Sequence, residues 1–115
     1  MGRVGRSAPP GRDEWGPRMA TEVVNRPDER RYEIISDGEV AGYAEYILTN
    51  DLITFTHTEI DPAFEGKGLG GTLVREALDD VRGRGLAVLP LCPFVKGWIE
   101  RHPDYVDLVY RSPKE

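Results

Sequence analysis

Cysteine is almost missing from this sequence: Cys92 is the only one among 115 residues. A single cysteine cannot form an internal disulfide, so nothing in the sequence requires an oxidising compartment. Long apolar runs are missing too, since no stretch approaches the roughly 20 consecutive apolar residues that span a bilayer. There is also no apolar signal-peptide core near the first residue. We therefore expect a cytoplasmic protein that does not enter a membrane.

An excess of basic residues is absent as well. Lys and Arg number 15 against 20 Asp and Glu, which gives a net charge of −5. Proteins that bind nucleic acid neutralise phosphates with a basic face, so this balance argues against nucleic acid as a partner. The composition, 39% hydrophobic and 30% charged, is typical of a globular protein. The length suits a single domain, which we expect to be a monomer or a homodimer.

The first eighteen residues differ from the rest of the chain. Residues 1–18 are rich in Gly, Pro and Arg and carry no periodic apolar pattern. Two interpretations stay open: a disordered tail, or an extension assigned in error upstream of a true start at Met19. The globular domain is predicted to cover residues 19–115.

The first part of the domain has the pattern of an antiparallel meander. β-Branched and aromatic residues are typical of strands, and Asp37-Gly38 and Asn50-Asp51 are two-residue turns that tolerate positive φ. In the last strand, alternation predicts that Ile53, Phe55, His57 and Glu59 share one face. In the third, we expect Val40, Ala44, Tyr46 and Leu48 to share one face. The predicted strands are 22–25, 30–36, 40–49 and 52–60.

The second part of the domain changes period. Apolar residues from Leu69 to Val81 recur every three or four positions, which predicts an amphipathic helix that ends at Gly83. Residues 86–91 are nearly all apolar, a pattern typical of a strand buried on both faces. Pro93 suits the first turn of a second helix. The order of elements predicts an α/β fold, with a mixed sheet whose last strand enters by a crossover.

A glycine-rich turn precedes the first helix, with the sequence Glu65-Gly66-Lys67-Gly68-Leu69-Gly70-Gly71. Glycines here allow a ligand to approach the backbone closely, because no Cβ is in the way. The unpaired N–H groups and the positive end of the helix dipole make such a turn an anion site, with phosphate or pyrophosphate as the natural ligand. Lys67, and Arg75 about two turns into the helix, are placed to add positive charge.

Two common phosphate motifs do not match this turn. A Walker loop ends in Gly-Lys-Ser/Thr, whereas Gly68 follows Lys67 here. A dinucleotide-binding fingerprint needs an acidic residue on its second strand, and residues 86–91 contain none. A third alternative stays open on the local sequence alone, namely a tight turn into a helix that binds no ligand.

Several segments in this order resemble the cofactor-binding core of GNAT acetyltransferases. They are the strand at 53–60, the run Asp61-Pro62-Ala63-Phe64-Glu65-Gly66-Lys67-Gly68-Leu69-Gly70-Gly71-Thr72-Leu73-Val74 and the strand at 86–91. The runs His57-Thr58-Glu59-Ile60, Cys92-Pro93-Phe94 and His102-Pro103-Asp104-Tyr105 further resemble the YjdJ-type branch of short GNAT-like domains. The similarity extends over residues 22–109.

The resemblance implies a sheet that opens into a V-shaped gap, with acetyl-coenzyme A as the co-substrate and no metal ion. The pyrophosphate would rest on the glycine-rich turn, the pantetheine would pair with the last strand of the meander, and the acetyl group would lie near the end of strand 86–91. The cofactor-binding residues would be Glu59, Ile60, Asp61, Gly66, Lys67, Gly68, Leu69, Gly70, Gly71 and Arg75.

The chain also departs from the family pattern. Glu65 stands where Gln or Arg is usual, and a carboxylate beside a pyrophosphate is unfavourable unless it turns outward. No counterpart is recognisable for the N-terminal helices that build the acceptor pocket in larger relatives. The amine acceptor, a small molecule or a protein, therefore stays open.

Amide formation from a thioester needs a neutral amine, a stabilised tetrahedral intermediate and a proton for the leaving thiolate. Glu59 is the first candidate base, acting directly or through water, and His57 is the second. Each has a structural alternative: a solvated charge at a strand end for Glu59 and a hydrogen-bonded structural residue for His57.

Cys92 is a further catalytic candidate. It precedes a predicted helix, and a helix N-terminus makes a thiol more reactive. It would either protonate the leaving thiolate or accept the acyl group, although a free cysteine is usually a small buried apolar residue. Tyr105 could supply a phenol as acid, or pack against Trp98.

Three functions stay open at this point. The first is an N-acetyltransferase, the second is a non-catalytic acyl-coenzyme-A-binding module or sensor, and the third is a protein-interaction domain with a vestigial glycine turn.

Overall fold

The computed structural model of the chain describes residues 21–110. The proposed tail or extension at residues 1–18 and the predicted domain ends at 19–20 and 111–115 lie outside the described residues. In order, the elements are β1 (Thr21–Arg26), β2 (Arg31–Ser36), β3 (Glu39–Thr49), β4 (Leu52–Ile60), α1 (Leu69–Gly83), β5 (Ala87–Pro90) and α2 (Pro93–Glu100). Two 3-10 helices, Pro27–Glu29 and Pro62–Phe64, lie between these elements, and a third, Pro103–Leu108, follows α2.

The strands form one mixed sheet in the order β1-β2-β3-β4-β5. Neighbours are antiparallel from β1 to β4, and β5 then joins β4 in parallel after the α1 crossover. Parallel neighbours need such a crossover, because a hairpin can only return the chain antiparallel. The α/β class and the mixed sheet predicted from the sequence are thus confirmed.

The hairpin turns are also where the sequence predicts them. Asp37 and Gly38 have φ of 50° and 85°, and Asn50 has φ of 43°. Both central residues of the first turn are left-handed, which matches the twist of the strands that they join.

The hydrophobic core lies on one face of the sheet. The buried side chains of the strands, among them Tyr32, Ile34 and Phe55, form one cluster with those of α1 and α2. Tyr32 reaches α1 directly, since its hydroxyl donates to Asp80 Oδ2 over 2.6 Å. The other face of the sheet has no helix over it in the part of the chain that the structure describes. We call it the open face; Tyr43, Glu45, His57 and Glu59 lie on it.

A β-bulge overturns the predicted alternation in β4. The register shifts between Glu45 and Tyr46 of β3, so that Thr56 of β4 has no partner of its own. One extra residue reverses the alternation beyond it. Ile53 and Phe55 are buried together, but His57 and Glu59, which were predicted to share their face, are exposed on the open face, and Thr58 and Ile60 face the helices instead.

A second bulge corrects the prediction for β3. The register shifts between Ile34 and Ile35, so that Ala41 has no partner of its own on β2. As a result Ala41 is fully buried, and Val40, which was predicted to share a face with Ala44, is 46% exposed. Leu48 is also half exposed, since it lies near the end of a long strand.

The parallel strand predicted at residues 86–91 is confirmed, but it is shorter than predicted, and only Val88 in it is fully buried. β5 is an edge strand of four residues, covered on its outer side by a single bridge from Val88 to Val109. Val88 is fully buried, but Leu91 is 63% exposed. A continuous apolar run is typical of an inner parallel strand. Here the run continues past the end of β5 to Leu91, where the sheet opens.

Among the described residues, neither α-helix is long and apolar enough to cross a membrane.

A substitution at Gly42 of β3 tests how closely β3 and β4 approach each other. A Cβ at this position would clash with the Ile60 side chain and would lie 2.6 Å from the backbone oxygen of Glu59. We expect Gly42→Ala to lower the free energy of unfolding by about 2 kcal/mol, within the range for overpacking. Urea denaturation measures the change.

Gly83→Ala is the matched control, because Gly83 ends α1 with open space around it. It should raise the free energy of unfolding by about 0.5–1 kcal/mol through helix propensity. Equal effects of the two variants would contradict the close approach at Gly42.

Candidate functional site

The sheet opens between β4 and β5. The two strands pair only from Leu52↔Ala87 to Phe55↔Pro90. The Phe55 carbonyl then accepts from both Leu91 N–H (3.1 Å) and Cys92 N–H (2.9 Å), which ends the ladder. In the described chain, the remainder of β4 pairs only with β3. We call the resulting space beside residues 56–60 the β4–β5 gap.

The backbone of two β4 residues is directed into this gap. Asp61 N–H donates to Ala41 O of β3 over 2.7 Å. Backbone groups alternate in direction along a strand, so Glu59 also faces β3, while Thr58 and Ile60 face the gap. Of the three residues expected to pair with pantetheine, only Ile60 has its own N–H and C=O turned that way. Thr58 was missed because the bulge is not visible in the sequence.

The glycine-rich turn lies where β4 leads into α1. Asp61 caps the intervening 3-10 helix by accepting from Ala63 N–H (2.8 Å). The N-cap of α1 is Gly68, with φ of 74°, and Gly66 has φ of 86°. Leu69 is buried and anchors the start of the helix. The first backbone donor of α1 to find a partner in the helix is Thr72 N–H, which donates to Gly68 O over 3.3 Å.

The N–H groups of the three preceding residues, at 69–71, therefore lack an acceptor within the helix, as is general for a first turn. A helix of 15 residues also places its positive dipole end here. The predicted anion site thus has the backbone geometry that it needs.

The glycines of the turn serve different purposes. Gly66 and Gly68 have positive φ and nothing within 4 Å of the position that a Cβ would take. At Gly70 a Cβ would lie 2.8 Å from Phe94 Cζ of α2, so this glycine allows the two helices to approach. At Gly71 a Cβ would lie 3.6 Å from the ring nitrogen of Trp98. Open space for a ligand is thus found at Gly66 and Gly68.

Two cations lie close to this turn. Lys67 Nζ is 6.0 Å from the centre of the Phe64 ring, and the Arg75 guanidinium is 6.0 Å from the centre of the Trp98 ring. Both side chains are on the surface, and neither forms an ion pair with a carboxylate within residues 21–110. Glu65 is exposed, which is compatible with an outward direction.

Glu59 and His57 form a cluster with Tyr43 on the open face. His57 Nε2 lies 3.1 Å from Glu59 Oε1, and the Tyr43 hydroxyl donates to the same oxygen over 3.0 Å. The hydrogen bonds from His57 and Tyr43 hold the pKa of Glu59 below its usual value. The carboxylate is therefore ionised at neutral pH. Tyr43, which the sequence did not suggest, comes from the neighbouring strand.

Cys92 lies where the gap begins. It is the N-cap of α2 and is 3% exposed. Its Sγ lies 3.4 Å from Oγ1 of Thr58, across the gap from β5 to β4. Because Thr58 faces the helices and Glu59 faces the open side, the thiol and the carboxylate lie on opposite sides of β4.

Tyr105 does not join the other candidates. Its hydroxyl donates to Asp79 Oδ1 over 2.8 Å, and its ring packs edge-on against Trp98 at 4.9 Å. Asp79 is ten residues beyond Leu69 in α1, about 15 Å along the helix axis at 1.5 Å per residue. The phenol therefore lies away from the turn.

The sequence profile described as GCN5-related N-acetyl-transferase matches residues 31–108. The chain belongs to this family. The match covers β2 through the last 3-10 helix and so contains the gap, the turn and Cys92. The GNAT resemblance is confirmed, and the YjdJ-type branch stays a prediction.

Two curated relatives are acetyltransferases. Streptothricin acetyltransferase of Streptomyces lavendulae is 38% identical over 61 residues, which are 50% of this chain and 32% of the relative. N-alpha-acetyltransferase RimI of Mycobacterium tuberculosis is 34% identical over 77 residues, which are 64% of this chain and 49% of the relative. The chain thus spans a third to a half of the length of these relatives.

Solved structures share the fold. A GCN5-like protein from Staphylococcus aureus has a TM-score of 0.60 at 21% identity, over 82% of this chain and 92% of its own. The GNAT family protein YhbS of Escherichia coli, solved in complex with CoA, has a TM-score of 0.52 at 17% identity, over 70% of this chain and 66% of its own. Within residues 21–110, no three His, Cys, Asp or Glu side chains are grouped to hold a metal ion.

The hydrogen bond from Tyr43 predicts a measurable shift at Glu59. We expect Tyr43→Phe to raise the pKa of Glu59 toward its ordinary value, because one of the two donors to its carboxylate is lost. A carbon-13 NMR titration of the Glu59 carboxyl measures it. Tyr110→Phe is the control, since Tyr110 is an exposed tyrosine with no bond to Glu59. An unchanged pKa in Tyr43→Phe would contradict the geometry of the cluster.

Proposed function

We propose that the protein binds acetyl-CoA in the β4–β5 gap and transfers the acetyl group to an amine. Three features that lie next to each other carry this proposal. The ladder between β4 and β5 ends at Phe55, and the backbone of Thr58 and Ile60 is turned into the gap. The glycine-rich turn at residues 65–71, which we call the glycine cradle, follows the end of β4. Family membership supports the proposal.

The cofactor has a natural direction in this site. The pyrophosphate is placed on the N–H groups of the first turn of α1, beside the open space at Gly66 and Gly68. The pantetheine runs along β4, where Thr58 and Ile60 offer strand-like hydrogen bonds. This direction brings the thioester to the inner end of the gap, close to Cys92. In support, CoA is present in the structure of YhbS, which shares the fold.

The acceptor amine approaches from the open face. The amine nitrogen attacks the thioester carbonyl carbon, its proton passes to Glu59 directly or through water, and the C–S bond breaks to release CoA thiolate. The ionised state of Glu59 suits a proton acceptor, although its lowered pKa makes it a weak one. His57 and Tyr43 hold the carboxylate in place.

We propose that Cys92 acts at the CoA sulfur in the same step. As a proton donor, its thiol would give its hydrogen to the CoA thiolate and recover one from solvent. As an acyl acceptor, its sulfur would take the acetyl group from CoA before the amine does. The contact with Thr58 favours a fixed position for the sulfur in either role.

The acceptor class stays broad. By their names, one relative acetylates streptothricin and the other is an N-alpha-acetyltransferase. We propose an amine of a small molecule or a protein as the substrate of this chain, in the cytoplasm.

CoA binding should depend on Gly68 in a way that a matched glycine does not share. Gly68 and Gly85 lie at opposite ends of α1, have φ of 74° and 73°, and both have open space at the Cβ position. Alanine in this left-handed region costs about 1 kcal/mol of stability at either site. Only Gly68→Ala should weaken CoA binding, by roughly tenfold or more, because its methyl group enters the space for the pyrophosphate.

Isothermal titration calorimetry with acetyl-CoA and CoA, on variants matched for folding by thermal melts, makes this comparison. Equal affinities for CoA in the two variants would remove the cradle from the proposal. Tight binding with no thiol release over a panel of amines would instead indicate an acyl-CoA-binding module without catalysis.

Cys92 should be needed for turnover rather than for binding. We expect Cys92→Ala to leave CoA affinity nearly unchanged but to reduce turnover roughly 100-fold, the usual effect of a positioned acid or nucleophile. The small cavity should lower the free energy of unfolding by about 1 kcal/mol. Mass spectrometry after brief mixing with acetyl-CoA separates the two roles: an acetyl adduct on Cys92 indicates an acyl acceptor. Full activity of Cys92→Ala would show that the thiol is only part of the core.

A further inference from the structure

Trp98 of α2 has a buried ring whose polar group has no partner in the part of the chain that the structure describes. The residue is 3% exposed, and its ring is stacked on His102 at 3.8 Å with an angle of 14° between the planes. The Tyr105 ring packs against it at 4.9 Å in a T-shaped arrangement. Its indole Nε1–H, however, finds no acceptor among residues 21–110. Buried polar groups are almost always hydrogen-bonded, and a buried indole N–H usually has a partner, so this one points to an acceptor from outside the described residues.

The indole nitrogen lies at the first turn of α1. Apart from chain neighbours and the backbone of α1 itself, it is the only described atom within 4 Å of the position that a Cβ of Gly71 would take, at 3.6 Å. Gly71 is the third residue of α1, so its own N–H is one of the three that lack an acceptor within the helix. Because Gly71 has no side chain, none stands between its backbone and the indole nitrogen.

A cation extends the same cluster. Arg75 follows Gly71 by one helical turn, and helical side chains lean toward the N-terminus, over the preceding turn. Its guanidinium is 6.0 Å from the centre of the Trp98 ring. Asp79, one turn further along the helix, accepts from the Tyr105 hydroxyl, and no carboxylate forms an ion pair with Arg75 in the described chain. The positive charge is thus available to a ligand.

We propose that the indole N–H of Trp98 donates a hydrogen bond to a phosphate oxygen of the bound cofactor. Arg75 holds this phosphate over the first turn of α1. The indole and the guanidinium are both donors without acceptor capacity, and so are the backbone N–H groups beside them. Such a set suits an anion that only accepts, and phosphate is the anion that helix N-termini bind best. This assignment rests on the proposed function and adds a donor that selects for the phosphate.

Gly71→Ala tests the proposal without disturbing the core. The added methyl group would lie in van der Waals contact with the indole nitrogen and cover its N–H. We expect Gly71→Ala to weaken CoA binding roughly tenfold, whereas Gly83→Ala, a helical glycine of the same helix in open space, binds as the wild type does. Both are helix-favouring changes, so neither should unfold the protein. Wild-type affinity in Gly71→Ala would overturn the proposal.

The indole N–H also gives a direct signal. The sequence holds two tryptophans, and Trp15→Phe leaves Trp98 as the only source of an indole resonance in a nitrogen-15 NMR spectrum. Saturating CoA should move this resonance downfield and slow its exchange with water. An unmoved resonance in CoA-bound protein would overturn the proposal and indicate that water satisfies the indole.

Ligand fragments distinguish which phosphate is bound. CoA carries a pyrophosphate and a ribose 3′-phosphate, 3′-dephospho-CoA carries only the first, and pantetheine carries neither. Loss of the shift with dephospho-CoA assigns the donor to the 3′-phosphate, and its retention assigns the donor to the pyrophosphate. A shift of the same size with pantetheine would contradict a phosphate ligand. If wild-type protein binds no CoA at all, the proposed function fails. If CoA binds and the indole resonance does not move, only this inference fails.

Discussion

The site depends on one backbone feature, the convergence of two N–H groups on the Phe55 carbonyl. Leu91 and Cys92 both donate to this oxygen, so β5 cannot continue the ladder along β4. The chain turns instead into α2, and among residues 21–110 nothing pairs with the second edge of the last half of β4. An unpaired strand edge is a place for another extended chain. Pantetheine, with its two amide groups, is a molecule of that kind.

The bulge at Thr56 gives the two sides of β4 different chemistry. Without the extra residue, His57 and Glu59 would face the helices, and Thr58 and Ile60 would face outward. With it, a hydroxyl and an apolar side chain face the cofactor side beside a buried thiol, while an ionised carboxylate with its two partners faces the open side. The proposed reaction needs this division, because the amine must reach the carbonyl carbon of the thioester from a side that the bound cofactor does not occupy.

Local signals made much of the fold predictable. Asp37-Gly38, Asn50-Asp51, the three- and four-residue spacing after Leu69 and the glycine-rich turn each express a constraint within a few residues, and the structure has the corresponding turns and helices there. The two bulges, the edge position of β5 and the direction of Thr58 depend on how separate strands meet, so alternation along one strand could not reveal them. Tyr43 and Trp98 were missed for the same reason: each reaches the site from another element.

The contact between Gly70 and Phe94 has a mechanical consequence. The Phe94 ring fills the place where any side chain at position 70 would stand, so the first turn of α1 and the first turn of α2 are wedged against each other. Phe94 follows Cys92 by two residues on that same turn. The position of the first turn of α1 is therefore linked through this aromatic ring to the segment that carries the thiol.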